Sequence, residues 1–111
     1  MHSSDERKAA NEAAFREVNE QMIDLQEQWA TDHDQLLTLV CECDRLDCAE
    51  RLLVTPGTYE HVRADGACFL VLPGHEDLLV EEIVETGGGY LVVRKRVGEP
   101  RDVALETDPR S

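Results

Sequence analysis

Three of the four cysteines, Cys41, Cys43 and Cys48, stand within eight consecutive residues, and this clustering constrains the fold more than any other feature. A Cys-x-Cys-x4-Cys array puts three soft thiolate donors on one tight loop. Zn²⁺ favours a tetrahedron of thiolate and imidazole ligands, so the loop reads as three corners of a zinc site. His75 is the preferred fourth corner, because Pro73-Gly74 sets it on a turn directly after the apolar run at 67–72. Cys68, His61, His33 or a water are the alternatives, with Asp44 and Asp47 as weaker oxygen donors inside the loop. Cys68 lies within the apolar run, where a free cysteine commonly packs as a small hydrophobe. An iron-sulfur cluster would want that fourth thiolate. Cys-x-Cys is also a less specific signal than the Cys-x2-Cys of a zinc knuckle.

The need for a staple follows from size. The chain has 111 residues, enough for one domain. Residues 1–34 read as an N-terminal amphipathic helix and 98–111 as a disordered tail, which leaves 35–97 for a zinc-binding α+β domain. A unit of about 60 residues buries only about 60% of its unfolded surface and is marginal without a cross-link.

The helix is expected over residues 3–30, with Ser3 and Glu6 as a capping box. Phe15, Val18, Met22, Leu25 and Trp29 recur at spacings of three and four and form one stripe, while Ile23 falls beside it. Glu12 and Arg16 belong to the other, charged faces. The stripe either packs on the chain's own domain or pairs with another copy or a protein partner as a short coiled coil of about two heptads. Strands are expected at 35–40 and 51–54, followed by a short helix at 56–64 with Thr55 as N-cap and Pro56 at its first position. A buried strand at 67–72 and a hairpin of 79–85 with 90–96 around Gly87-Gly88-Gly89 complete a fold of four to five short strands and one short helix. In the hairpin, Arg94, Lys95 and Arg96 face Glu81, Glu82 and Glu85, so cross-strand charge pairing accounts for the basic run.

The chain resembles a family of small uncharacterised actinobacterial proteins. The likeness is carried by residues 11–20 (Asn-Glu-Ala-Ala-Phe-Arg-Glu-Val-Asn-Glu), by Cys41-Glu42-Cys43 with Cys48, and by 59–64, 69–76 and 90–93. It implies a cytoplasmic protein and a pattern that contains Cys41, Cys43, Cys48 and His75 but not Cys68. It implies no activity.

With 24 acidic and 11 basic residues the formal net charge is −13. Phosphate binding draws on Lys and Arg, so nucleic acid is not the expected partner. No run of about 18 apolar residues is present and the N-terminus lacks an apolar signal-peptide core, so neither a membrane span nor secretion is expected. In the cytoplasm clustered cysteines are metal ligands or redox groups rather than disulfides. The expected function is that of a non-catalytic zinc-binding protein, regulatory in role, which works through protein contacts. The alternatives are a zinc-thiolate redox sensor, a nucleic-acid binder with Arg51, Arg63 and the 94–96 run as its patch, or a zinc enzyme with Glu42 or Glu76 as base. No His-x-Glu or His-Glu-x-x-His element supports the last.

Overall fold

The computed structural model describes residues 4–29 and 35–110. The capping residue Ser3, the side chains of Glu6 and Trp29, and His33 lie outside what is described. The element order is α1 (Ser4–Trp29), β1 (Leu37–Val40), β2 (Arg51–Val54), α2 (Pro56–Arg63), β3 (Cys68–Val71), β4 (Glu81–Thr86), β5 (Leu91–Lys95) and α3 (Glu99–Glu106). Strands β1 and β2 form an antiparallel pair, and the second sheet has the order β3-β5-β4, also antiparallel. The fold is therefore α+β, as the sequence predicts.

Strand β3 joins the two halves of the core. All four of its residues are buried, and they alternate between two apolar clusters. Cys68 and Leu70 pack with Leu37, Leu39, Leu52, Tyr59 and Val62 from β1, β2 and α2. Phe69 and Val71 pack with Val93, Ala104 and the cysteines Cys41 and Cys43. A four-residue strand buried on both faces carries no polar position, which explains its continuous apolar run. Helix α2 starts as expected, with the Thr55 hydroxyl accepting from the N–H of Thr58 and Pro56 at the first turn. It buries Tyr59, Val62 and Arg63.

Helix α1 packs on its own domain, but with a different face from the predicted one. Glu12, Arg16, Asn19 and Ile23 point inward, whereas Val18 and Leu25 are 40% and 59% exposed. Phe15 and Met22 are half-buried at the boundary. The physical reason lies in what α1 covers, which includes the open hydrogen-bonding edge of β1. Asn19 accepts from the Val40 N–H at 2.8 Å and donates to the Val40 carbonyl at 2.9 Å. One heptad later, Gln26 does the same for Thr38, both bonds at 3.0 Å. Two side-chain amides thus stand in for a third strand and close an edge that would otherwise be exposed. A helix doing this needs polar groups on its inner face, so its apolar stripe is a poor guide to orientation.

Glu12 and Arg16 are likewise not a surface pair. Lys95 is held by Glu12 at 2.5 Å and Glu81 at 2.6 Å, with all three side chains buried. Arg16 stacks 4.3 Å above the Phe69 ring and donates to the carbonyls of Gly66 and Ala104, each at 2.6 Å. In the hairpin Glu81 stands opposite Lys95 and Glu82 opposite Arg94, which is the expected cross-strand charge pairing, whereas Glu85 stands opposite Val92 and Arg96 lies beyond β5.

The expected disordered tail is replaced by α3. Its prolines mislead: Pro100 sits in the first turn, where a missing N–H costs nothing, beside Glu99 and Asp102 at the positive end of the helix. Ala104 is buried in the second cluster, and its carbonyl is capped by Arg16 from 88 residues away. Beyond α3, Arg110 pairs with Glu20 of α1 and Glu60 of α2 at 2.6 Å.

Two outcomes test this packing. Asn19→Leu strands the Val40 amide and one Glu42 oxygen inside the protein and is expected to cost about 3 kcal/mol or more in urea unfolding of the metal-loaded chain. A loss of under about 0.5 kcal/mol would contradict the edge-capping role. Glu12 is pushed up to about 8, chiefly by burial, even though the Lys95 ammonium opposes the shift. A raised carboxyl contributes stability that is present at low pH and lost as pH rises through the folded value. Glu12→Gln should therefore gain on wild type as pH goes from about 5 to about 8, read as the difference between two urea series.

Candidate metal centre

Each donor is delivered by the element before it. Cys41 follows β1 directly, and its N–H still continues the ladder to the Glu50 carbonyl at 3.0 Å. The loop then turns back through Cys43 to Cys48, with the Cys48 N–H donating to the Arg45 carbonyl at 3.2 Å. His75 follows β3 on a turn closed by its N–H to the Leu72 carbonyl at 3.0 Å. Pro73 and Gly74 form the middle of that turn, and Gly74 has the positive φ of 91° that such a turn requires.

Two contacts hold the cysteine loop against the histidine turn. The Glu42 N–H donates to the Leu70 carbonyl at 2.7 Å, while the Leu70 N–H donates to the Glu42 carboxylate at 2.9 Å. Glu42 thereby closes the free edge of β3 with its backbone and its side chain. Arg45 donates to the Gly74 carbonyl at 2.7 Å. From α1, Asn11 reaches the carbonyls of Cys43 and Arg45 at 3.3 and 3.1 Å.

The result brings the Cys41, Cys43 and Cys48 sulfurs and a His75 ring nitrogen within 4.8 Å of one another. His75 Nδ1 lies 3.7 Å from Cys41 Sγ and 3.6 Å from Cys48 Sγ. A tetrahedron with metal–sulfur bonds of about 2.3 Å and metal–nitrogen bonds of about 2.0–2.1 Å has S···N edges of roughly 3.6 Å and S···S edges of roughly 3.8 Å. The four donors fit such an ion, with the longest edge shortening by roughly 1 Å on binding.

The hydrogen bonding suits thiolates. Backbone groups two residues along the chain, at Cys43, Arg45 and Glu50, each favour the ionised form of Cys41, Cys43 and Cys48 respectively. The Leu72 N–H adds a bond to Cys41 Sγ at 3.2 Å. Without a cation the three thiols compete for one charge. Cys41 is held below the usual thiol range, first by the Cys43 thiol hydrogen bond, and Cys43 is pushed well above it by the same contact. Burial raises Cys48. A divalent ion removes that competition, because it stabilises all three thiolates together.

The other predicted donors are occupied elsewhere. Cys68 is buried within β3, its thiol raised to about 11, first by burial. His61 Nε2 pairs with Glu85 at 2.6 Å. Asp44 and Asp47 do not join the cluster. Of the two suggested bases, Glu42 is fully buried and accepts from Leu70, Asn19 and Arg63. Glu76 accepts the Gly74 N–H at 2.8 Å and so stiffens the histidine turn. Sequence reasoning missed Asn11, Asn19 and Arg45 as supports of the loop. For Asn11 and Asn19 the only signal was polarity eight residues apart in α1, and Arg45 in the loop carried none.

Comparison with protein-family models, with curated proteins and with solved structures finds no match to this chain. The metal, with its ligand set, is tested directly by X-ray absorption on protein reconstituted with Zn²⁺. The expected first shell is three sulfurs near 2.3 Å and one nitrogen near 2.0–2.1 Å. Cys48→Ser and His75→Ala should each lower zinc affinity at least ten-fold, and a shell with an oxygen in place of nitrogen would remove His75 from the site.

Proposed function

We propose that this chain is a non-catalytic zinc protein in which Cys41, Cys43, Cys48 and His75 hold one structural Zn²⁺, and that it works through protein contacts, as a regulator in a reducing cytoplasm. The observation that carries the reading is the closed donor set: three sulfurs and a ring nitrogen, with S···N separations of 3.6 and 3.7 Å. Structural zinc takes four protein ligands, whereas catalytic zinc keeps a position for water. Bound zinc would join the end of β1 to the end of β3, and so the two sheets to each other.

Three further observations support contacts with protein over other roles. Glu42 and Glu76, the two carboxylates considered as catalytic bases, already accept hydrogen bonds within the fold. Of the cations that a nucleic-acid site would need, all but the exposed Arg51 are engaged: Arg63 and Lys95 are buried, Arg94 pairs with Glu82 at 2.9 Å, and Arg96 donates to the Leu78 carbonyl. On α1, Val18 and Leu25 remain exposed on the side away from β1 and offer an apolar contact. Among the described residues no helix is long and apolar enough to cross a membrane.

Chelation decides the structural role. Removing zinc with a strong chelator should abolish the cooperative unfolding transition, because binding energy of this kind is folding energy. Re-adding zinc should restore it. A chain that stays folded and cooperative without metal would falsify the structural reading. For the contact role, Val18→Glu with Leu25→Glu should keep zinc content and melting temperature while lowering self-association or partner capture at least ten-fold.

A further inference from the structure

Between α1, α3 and the start of β4 is a cleft of about 630 Å³, a size ordinary for small-molecule sites. Its walls are apolar: Ala9 and Ala10 on α1, Phe69 on β3, and Pro100, Val103 and Ala104 on α3. The small side chains on the two helices keep it open.

The lining carries one more carboxylate than cations. Glu12, Asp44, Asp77 and Glu99 line the cleft with Arg7, Lys8 and Lys95, and Glu81 pairs with Lys95 from outside it. Lys95 is shared by Glu12 and Glu81. Asp77 pairs with Lys8 at 3.8 Å and shares a side-chain hydrogen bond with Asp44. Four lining carboxylates thus meet three lining cations. Asp44 is 8% exposed, and its Oδ2 has no hydrogen-bond partner. A buried acceptor of this kind is costly unless a donor arrives. Filling the adjacent Cys41, Cys43, Cys48, His75 site would add one negative charge close by, since three thiolates outweigh one Zn²⁺.

We propose that this cleft binds a small amphipathic amine, its ammonium group set between Asp44, Asp77 and Glu12 and its hydrocarbon body against Phe69, Val103 and the α1 alanines. The ammonium supplies the donor that Asp44 Oδ2 lacks and offsets the surplus charge. An anion would meet uncompensated carboxylates, and a neutral alcohol would leave the surplus in place. The same alkylammonium chemistry is available from a free amine or from a lysine side chain on a peptide.

The test uses the full zinc-loaded chain, its metal content measured on the same sample, so that failure of this site is distinguishable from failure of the metal site. n-Hexylamine, n-hexanol, hexanoate and a capped tripeptide with a central lysine are titrated separately, with amide and methyl NMR shifts as the readout. Hexylamine is expected to shift Ala9, Ala10, Val103 and Ala104 in a saturable way. Hexanol should bind at least ten-fold more weakly and hexanoate should produce no saturable shift. Binding of the tripeptide as tightly as hexylamine assigns a side-chain source, and weaker binding assigns a free amine. Asp77→Asn should weaken hexylamine at least five-fold with hexanol unchanged, and Ala10→Leu, which narrows the cleft without touching the carboxylates, should weaken both. Equal affinity for amine and alcohol, tighter binding of hexanoate, or shifts confined to other residues would each overturn the proposal.

Discussion

The buried Glu42 carboxylate is the junction through which the other parts of this fold are placed. It lies between two of the cysteines, and its oxygens accept from the Leu70 N–H of β3, from Asn19 of α1 and from Arg63 of α2. Arg63 in turn donates to the Cys68 carbonyl at the start of β3. A carboxylate out of water is unfavourable unless such bonds are made, so its position admits few arrangements of its neighbours. Because the same residue's N–H bonds the Leu70 carbonyl, the cysteine loop can only lie along β3. The turn after β3 then brings His75 to it.

The metal centre and the protein core are consequently one construction. Cys41 and Cys43 pack in the same apolar cluster as Phe69, Val71 and Val93, and Cys48 borders it. Zinc would therefore act as a cross-link inside the core and not as an ornament on a loop. The three i to i+2 backbone contacts to the sulfurs, with the Leu72 N–H, prepare the loop for charge that only a cation makes tolerable.

Polar side chains make several of the contacts that span the chain. Asn19 and Gln26 replace a strand, Arg16 caps α3, Asn11 ties α1 to the cysteine loop, and Lys95 bridges two carboxylates. For a chain with few aromatics this is a route to a defined structure, since directional bonds specify positions that sparse apolar packing leaves open. It also places the buried carboxyl groups of Glu12, Asp44 and Glu81 around Lys95 beside the cleft between α1 and α3.

Local chemistry was legible in the sequence because its causes are local. The Thr55-Pro56 helix start, the Pro73-Gly74 turn before His75, the apolar run of β3 and the facing charges of the hairpin each follow from residues a few positions apart. The cysteine spacing announced a metal loop for the same reason, and His75 could be preferred because its turn was readable. What the tertiary structure alone decided are the features whose partners lie far along the chain. The inner face of α1 is polar because it must satisfy β1, the last residues form a helix because Arg16 caps it and Phe69 receives it, and Glu42 is buried because α1, α2 and β3 meet there. Apolar periodicity measures what water rejects, and it is silent about which backbone edges a polar side chain will close.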